Sequence, residues 1–159
     1  MFMQVRKARV EEAEALWALR NNALRNGCRN VYDQATLAAF TPDVMPSGFP
    51  PVIVANPFFV IDDEAGIRPV GSGFLDLKNH SVEAIFTLDT YQGKGVGSRI
   101  LDAIKQEAIA RGIYTLKLSS TPNALAFYLR HDFKLLREGE YFSPSAQKYL
   151  QCFEMEWRR

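Results

Sequence analysis

The stretch Tyr91-Gln92-Gly93-Lys94-Gly95-Val96-Gly97-Ser98-Arg99 sets three glycines at alternate positions between an apolar, strand-like run and an amphipathic, helix-like run. Glycine lacks the Cβ that keeps a ligand off the backbone, and it accepts φ > 0. A helix that starts there opens with unpaired N–H groups and the positive end of its dipole. Strand, glycine loop and helix in that order form an anion site, most often for phosphate. Lys94 and Arg99 add positive charge nearby. The same order constrains the fold. A strand that leaves through a helix and returns as a strand rejoins its sheet in parallel, with a right-handed crossover. A glycine-rich loop alone is also the ordinary signature of a tight turn.

Outward from that stretch, strand-like and helix-like runs follow one another. Residues 1–8 read as a short strand and 11–26 as a helix. Glu11, Glu12 and Glu14 suit the helix dipole, and Ala13, Leu16, Trp17, Arg20 and Leu24 share one face before Gly27 stops it. Residues 32–40 read as a second helix ended by Thr41-Pro42, then a proline- and glycine-rich loop covers 42–51. Residues 52–56 are β-branched but short and flanked by prolines, and periodicity assigns them no element. Strands over 58–62, 70–78 and 82–88, joined by short turns, make an antiparallel meander. Beyond the glycines, 98–111 is a helix with Ile100, Leu101, Ile104 and Ala108 on one face and Gly112 as its stop. Residues 113–119 alternate as a strand, 122–130 suit a short helix with proline in its first turn, and 133–137 form another strand. The last strand, 151–158, puts Gln151, Phe153, Met155 and Trp157 on one face, and the aromatic segment 138–150 before it reads as a loop. A meander followed by strand–helix–strand–helix–strand makes a mixed α/β sheet.

Composition narrows the partners. A length of 159 residues fits a single domain, with no internal repeat or linker, that buries about 70% of its unfolded surface. Apolar residues at 47% and charged residues at 23% are ordinary for a water-soluble globular chain. A net charge of +1 gives no electrostatic case for nucleic acid or an anionic membrane, so phosphate recognition must be local. Cys28 and Cys152 have no metal-ligand spacing and suit a reducing cytoplasm, and no run has the length of a membrane span.

Two phosphate motifs are excluded by spacing. The Walker loop, Gly-x4-Gly-Lys-Ser/Thr, is absent. The dinucleotide fingerprint needs Gly-x-Gly-x-x-Gly near the first strand and an acid about twenty residues on. Here the spacing is Gly-x-Gly-x-Gly past mid-chain, and the next strand ends Lys117-Leu118-Ser119-Ser120. What survives is Gln-x-x-Gly-x-Gly at Gln92–Gly97, followed about thirty residues later by Ala126-Phe127-Tyr128-Leu129-Arg130-His131-Asp132-Phe133. This combination resembles the GNAT superfamily of acyl-CoA-dependent N-acetyltransferases, over nearly the whole chain. Residues 6–20 look like that family's opening strand and helix. Residues 32–42 look like the Tyr…Trp-Thr-Pro segment of some small bacterial members, with Phe40 in the tryptophan position.

The resemblance implies an α/β (mixed α+β) fold. Its central, mostly antiparallel sheet has about six or seven strands with a splayed parallel pair, flanked by about four helices. It also implies one N-acetyltransferase domain over 1–159, which moves an acetyl group from acetyl-CoA to a primary amine through a tetrahedral intermediate. In the family the glycine-loop amides hold the CoA pyrophosphate, which maps to Gln92, Gly93, Lys94, Gly95, Val96, Gly97 and Ser98. The preceding strand pairs with the pantetheine arm, which maps to Phe86, Thr87 and Leu88, with the Leu88 amide as the polariser of the thioester carbonyl. The tyrosine beside the sulfur is Tyr128.

Three departures stand out: Asp132 where glycine is usual, Asp89 where proline is common, and Thr121 where an asparagine often lies. Asn123, nearby but off register, is the candidate CoA contact in place of that asparagine, and Asp132 is tolerable if its backbone is left-handed.

Acetyl transfer needs a neutral amine, which for a lysine-like group at pH 7 costs about 4.6 kcal/mol. Glu83 and His80 are the candidate bases, and Tyr128 the candidate acid toward the leaving thiolate. The acceptor, a small-molecule or peptide amine, should meet the first two helices, the proline loop and segment 138–150. Arg20, Asn22, Arg25, Arg29 and Tyr32 are the candidate contacts there. Other readings are a non-catalytic acyl-CoA-binding module on the same fold, and an interaction protein using segment 138–150 as a homodimer surface.

Overall fold

The structure, a computed structural model, describes residues 3–159. Its elements are β1 (Val5–Lys7), α1 (Ala13–Gly27), α2 (Gln34–Phe40), α3 (Phe49–Ala55), β2 (Phe58–Asp62), β3 (Pro69–Asp76), β4 (Ser81–Thr87), α4 (Val96–Ala110), β5 (Thr115–Ser120), α5 (Leu125–Arg130), β6 (Lys134–Ser143) and β7 (Lys148–Arg158). Single 3-10 turns precede α1, α4 and α5. The strands form one seven-stranded sheet in the order β1-β2-β3-β4-β5-β7-β6. Every neighbouring pair is antiparallel except β4–β5. The mixed fold, the meander and the single parallel pair are as the sequence implies, and the described residues hold five helices where about four were expected. No helix among the described residues is long and apolar enough to cross a membrane.

Helix α4 covers one face of the sheet. Its stripe of Ile100, Leu101, Ile104 and Ala108 is fully buried against Val70, Leu75, Leu116 and Met155. Helices α1 to α3 cover the other face, through Leu16, Leu19 and Ile53 over Phe58 and Val60, and through Leu24, Leu37 and Phe40 over Leu150. Strand β7 serves both layers by simple alternation: Met155 and Trp157 face α4, while Leu150 faces α1 and α2. Of the four residues expected on one face of the last strand, Gln151 lies exposed, beyond the cover.

Three expectations need correction. Of the unassigned residues 52–56, the first four join the end of the proline loop in α3, while Asn56 is extended; the first turn of α3 holds Pro50 and Pro51, where missing N–H groups are harmless. The β-branched run is helical because Ile53 is buried among Leu16 and Phe58, so packing overrides propensity. Segment 138–150 is a β-hairpin rather than a loop. Phe142 pairs with Tyr149 across it, rings 5.2 Å apart, and Ser143 Oγ accepts the Ala146 amide in the turn. Of the first predicted strand, Met1 and Phe2 lie outside the described residues, and β1 begins at Val5. Arg6 of β1 bridges Asp62 of β2 at 2.8 Å and Glu12 ahead of α1, which locks the edge strand to the first helix.

Two features shape β4. It carries an extra residue against β3: Phe74 faces Glu83 while Ser72 faces Phe86, so Ala84 and Ile85 stand opposite Gly73. Ala84 accordingly takes φ +56°, a left-handed conformation unusual for a residue with a side chain. On its other edge β4 pairs with β5 only at Ser81↔Lys117, with the Lys117 amide donating to the His80 carbonyl at 3.1 Å. Beyond that point the two strands part.

Close approach of α4 to the meander depends on β3 glycines. A Cβ on Gly71 would collide with the Val96 side chain, and one on Gly73 would lie 2.7 Å from Ile100 Cγ2. Gly71→Ala should therefore lower the free energy of unfolding by about 1–3 kcal/mol. Adding Val96→Ala in the same chain should return part of that loss, as read by urea denaturation; strictly additive costs would refute the contact.

Candidate active site

The chain enters α4 through two left-handed glycines, Gly93 (φ +77°) and Gly95 (φ +84°). Gly95 is the residue before α4, and no side chain caps the helix. The first-turn amides of this fifteen-residue helix therefore remain open to a ligand. Gly97 faces α5, where a Cβ would press within 3.3 Å of the Phe127 ring. Gln92 folds back so that its Nε2 donates to the Thr87 carbonyl at 3.2 Å, which ties the loop to the end of β4. Ser98 shares a 2.9 Å hydrogen bond with His131 Nε2, and burial together with Lys105 holds the His131 pKa below its usual value. Lys94 is exposed and lays its ammonium over the Tyr91 ring at 5.1 Å.

From this cradle a groove of about 460 Å³ runs between β4 and α5 to Tyr128. Ile85, Phe86 and Thr87 of β4 form one wall of it, past the point where β4 and β5 part into a wedge. Leu88 does not serve it as expected: its amide donates to the Val70 carbonyl at 2.9 Å, within the β3 ladder. Alternation along an antiparallel pair then turns the Thr87 amide away from β3, toward the wedge. Asn123 stands at the groove edge, where Oδ1 accepts from Cys28 Sγ at 3.3 Å and Nδ2 packs over Gly27. Asp132 takes φ +71°, the left-handed backbone its place in the motif required.

A second cavity, of about 380 Å³, lies on the other side of β4 under α1, α2 and α3. It meets the groove at Leu24, Ile85, Phe86, Thr121, Ala124 and Tyr128, which line both. Tyr128 is 8% exposed and packs edge-on to Phe127 and Phe133. Burial, with the Glu83 charge adding to it, pushes its phenol above the usual tyrosine range, so it stays protonated at neutral pH. Glu83 lines the second cavity opposite Phe74. Burial raises its carboxyl, helped by Asp76 and Glu154 and opposed by a hydrogen bond from Ser81. The two candidates for proton transfer thus flank the junction of the cavities.

The other sequence candidates scatter. His80 lies in the exposed turn where β4 and β5 are still joined, away from the junction. Arg20 and Tyr32 line the second cavity. Asn22 instead accepts the Asp89 amide at 3.0 Å, Arg25 pairs with Asp43 at 2.7 Å, and Arg29 is exposed. Trp17, Phe49 and Tyr141 complete the lining and had no place in the sequence motif. No period-two signal marks Tyr141 in the sequence, because it is adjacent to Phe142 and follows Glu138, Gly139 and Glu140.

Comparison with known proteins agrees with this geometry. Residues 55–135 match the family model described as an acetyltransferase (GNAT) domain. A Bacillus subtilis (strain 168) protein named uncharacterized N-acetyltransferase YjcF is 31% identical over 78 residues, 48% of this chain and 56% of that one. The match thus spans little more than half of that relative. A GCN5-related N-acetyltransferase structure from Rhodopseudomonas palustris superposes with a TM-score of 0.88 at 17% identity, covering 98% of this chain and 95% of that one. The PaiA N-acetyltransferase of Thermoplasma acidophilum, solved in complex with coenzyme A, gives 0.80 at 16% identity, with 98% of each chain covered. At these identities the structures show a shared fold. With the family match over residues 55–135, which contains the glycine cradle, the wedge and Tyr128, the chain belongs to the GNAT acetyltransferase family.

Proposed function

We propose that this chain transfers an acetyl group from acetyl-CoA to a primary amine. The observation that carries the proposal is the junction: a glycine cradle opens into a groove that ends at Tyr128, where a second cavity lined by Glu83 begins. The groove fits the donor, because a Cβ at Gly97 would fill the space beside Phe127 and left-handed Gly93 and Gly95 free successive amides for a pyrophosphate. Acetyl-CoA supplies a thioester, a carbonyl already activated for attack.

The chain's own residues supply the rest. Amides from Gly93 to Ser98 hold the pyrophosphate, with Gln92 fixing the loop. The pantetheine arm lies along the bare edge of β4, where the Thr87 amide is the available donor. Phe86 walls the groove, and Asn123 borders it. Glu83 accepts a proton from the incoming ammonium, directly or through water, and a half-buried carboxylate of raised pKa is a better base than an exposed one. The neutral nitrogen attacks the thioester carbonyl to give a tetrahedral intermediate, which collapses with loss of the C–S bond. Tyr128 gives its phenolic proton to the sulfur and is reprotonated through solvent by the second proton that the nitrogen sheds on becoming an amide, while Glu83 releases the first to solvent. The products are an amide, a free thiol and one proton, with atoms and charge balanced.

Gly95→Glu places a side chain and a negative charge in the cradle at a left-handed position. It should weaken coenzyme A binding at least tenfold by calorimetry, and unchanged affinity would remove the cradle from the proposal. Tyr128→Phe should lower kcat on the order of 10²-fold with little change in coenzyme A affinity, and equal losses in both would refute the acid role.

Glu83 must be ionised to act, so kcat/KM should rise with pH through a carboxyl pKa above the ordinary glutamate range. Glu83→Gln should abolish that limb of the pH profile, and a retained limb would assign the base elsewhere. Coenzyme A binding with no turnover on any amine would favour a binding module over an enzyme.

A further inference from the structure

Arg20 brings a charge into the cavity that Glu83 lines, and no acid answers it. Its guanidinium lies over the Trp17 ring at 4.3 Å and the Phe40 ring at 5.1 Å. Nη1 donates to Asn21 Oδ1 at 2.8 Å and Nη2 to the Phe40 carbonyl at 3.2 Å, both neutral acceptors. Among the described residues Arg20 belongs to no ion pair, and every other arginine is either paired with a carboxylate or exposed. Burial lowers the Arg20 pKa to about 10, so the group remains charged at neutral pH. A guanidinium has five N–H donors, and these two bonds leave several to spare.

The cavity is therefore bipolar. Tyr141 stands between its ends, its phenol drawn down by Arg20 and up by Glu83, while Glu83 has no part in the Arg20 shift. The wall between them is aromatic, from Trp17, Phe40, Phe49 and Phe58. A cation fixed by stacking and by neutral acceptors is preorganised for an anionic group and repels a second positive charge.

We propose that Arg20 is a specificity residue that receives a carboxylate on the acceptor, so that the acceptor is a small amine carrying a carboxylate and an apolar body, as in an apolar amino acid. This rests on the acetyltransferase reading of the same junction. The amine then lies at the Glu83–Tyr128 end, the apolar part against the aromatic wall, and the carboxylate at Arg20. Polyamines and other polycationic acceptors are disfavoured by the same charge.

The test uses matched acceptors with acetyl-CoA and a free-thiol readout: phenylalanine, phenylalaninamide and phenethylamine; leucine and isoamylamine; and spermidine. The carboxylate-bearing member of each set should show at least tenfold higher kcat/KM. Arg20→Gln should remove that preference by raising acceptor KM at least tenfold, leaving the KM for acetyl-CoA within twofold, and Arg20→Lys should restore part of it. Equal use of matched partners by the unaltered protein would overturn the inference while leaving the acetyltransferase reading intact. So would an Arg20→Gln loss shared by all acceptors.

If no amine turns over, tryptophan fluorescence titration with N-acetylphenylalanine and N-acetylphenethylamine decides the point on binding alone. Tighter binding of the acid supports the Arg20 site, and equal binding overturns it. The titration needs only the unaltered chain, so poor folding of a variant does not blunt it.

Discussion

Strand β4 is hydrogen-bonded to β3 along one edge and, past Ser81, bare along the other. Unpaired backbone groups in a sheet interior are costly, so a bare inner edge demands a partner. Here a groove walled by the end of β4 and by α5 runs along that edge. The extra residue at Ala84 and Ile85 bends β4 at this point, and a left-handed alanine is a local strain that its well-packed neighbours maintain. The glycine cradle lies at the far end of the same edge, so cradle and backbone edge line one continuous groove.

The rest of the sheet keeps that groove open. Helix α4 is anchored by a stripe of fully buried aliphatic residues on one face, and it can approach β3 only because Gly71 and Gly73 have no side chain. Helices α1 to α3 cover the opposite face but leave a cavity under β4 instead of a solid core. One strand therefore has a groove along its edge and a second cavity on its face, joined where Tyr128 lines both. Low polarity at the junction shifts both groups there: the Tyr128 phenol and the Glu83 carboxyl each move up, the first holding its proton more firmly and the second becoming a stronger base.

Much of this was legible from residue order. The meander, the strand–glycine–helix unit and the tyrosine motif are local patterns, and local patterns survive in a linear reading. Even the departure at Asp132 was interpretable, since a left-handed backbone there tolerates aspartate better than most residues, and the structure shows that conformation. What failed was decided at a distance. Residues 52–55 are helical because Ile53 is buried beneath other elements, and segment 138–150 is a hairpin because Phe142 meets Tyr149 across it. The Leu88 amide was lost to the site because strand register, which depends on the bulge upstream, turned it toward Val70.

Taken alone, the sequence determined the mixed sheet, the crossover and the glycine turn into α4, because each follows from spacing within a few tens of residues. Only the tertiary structure decided which amide faces the wedge, that Glu83 and Tyr128 flank one junction while His80 does not, and that Arg20 ends up between two aromatic rings without an acid. Those facts depend on register, on burial and on which distant side chains share a cavity, and none of the three is a property of neighbouring residues.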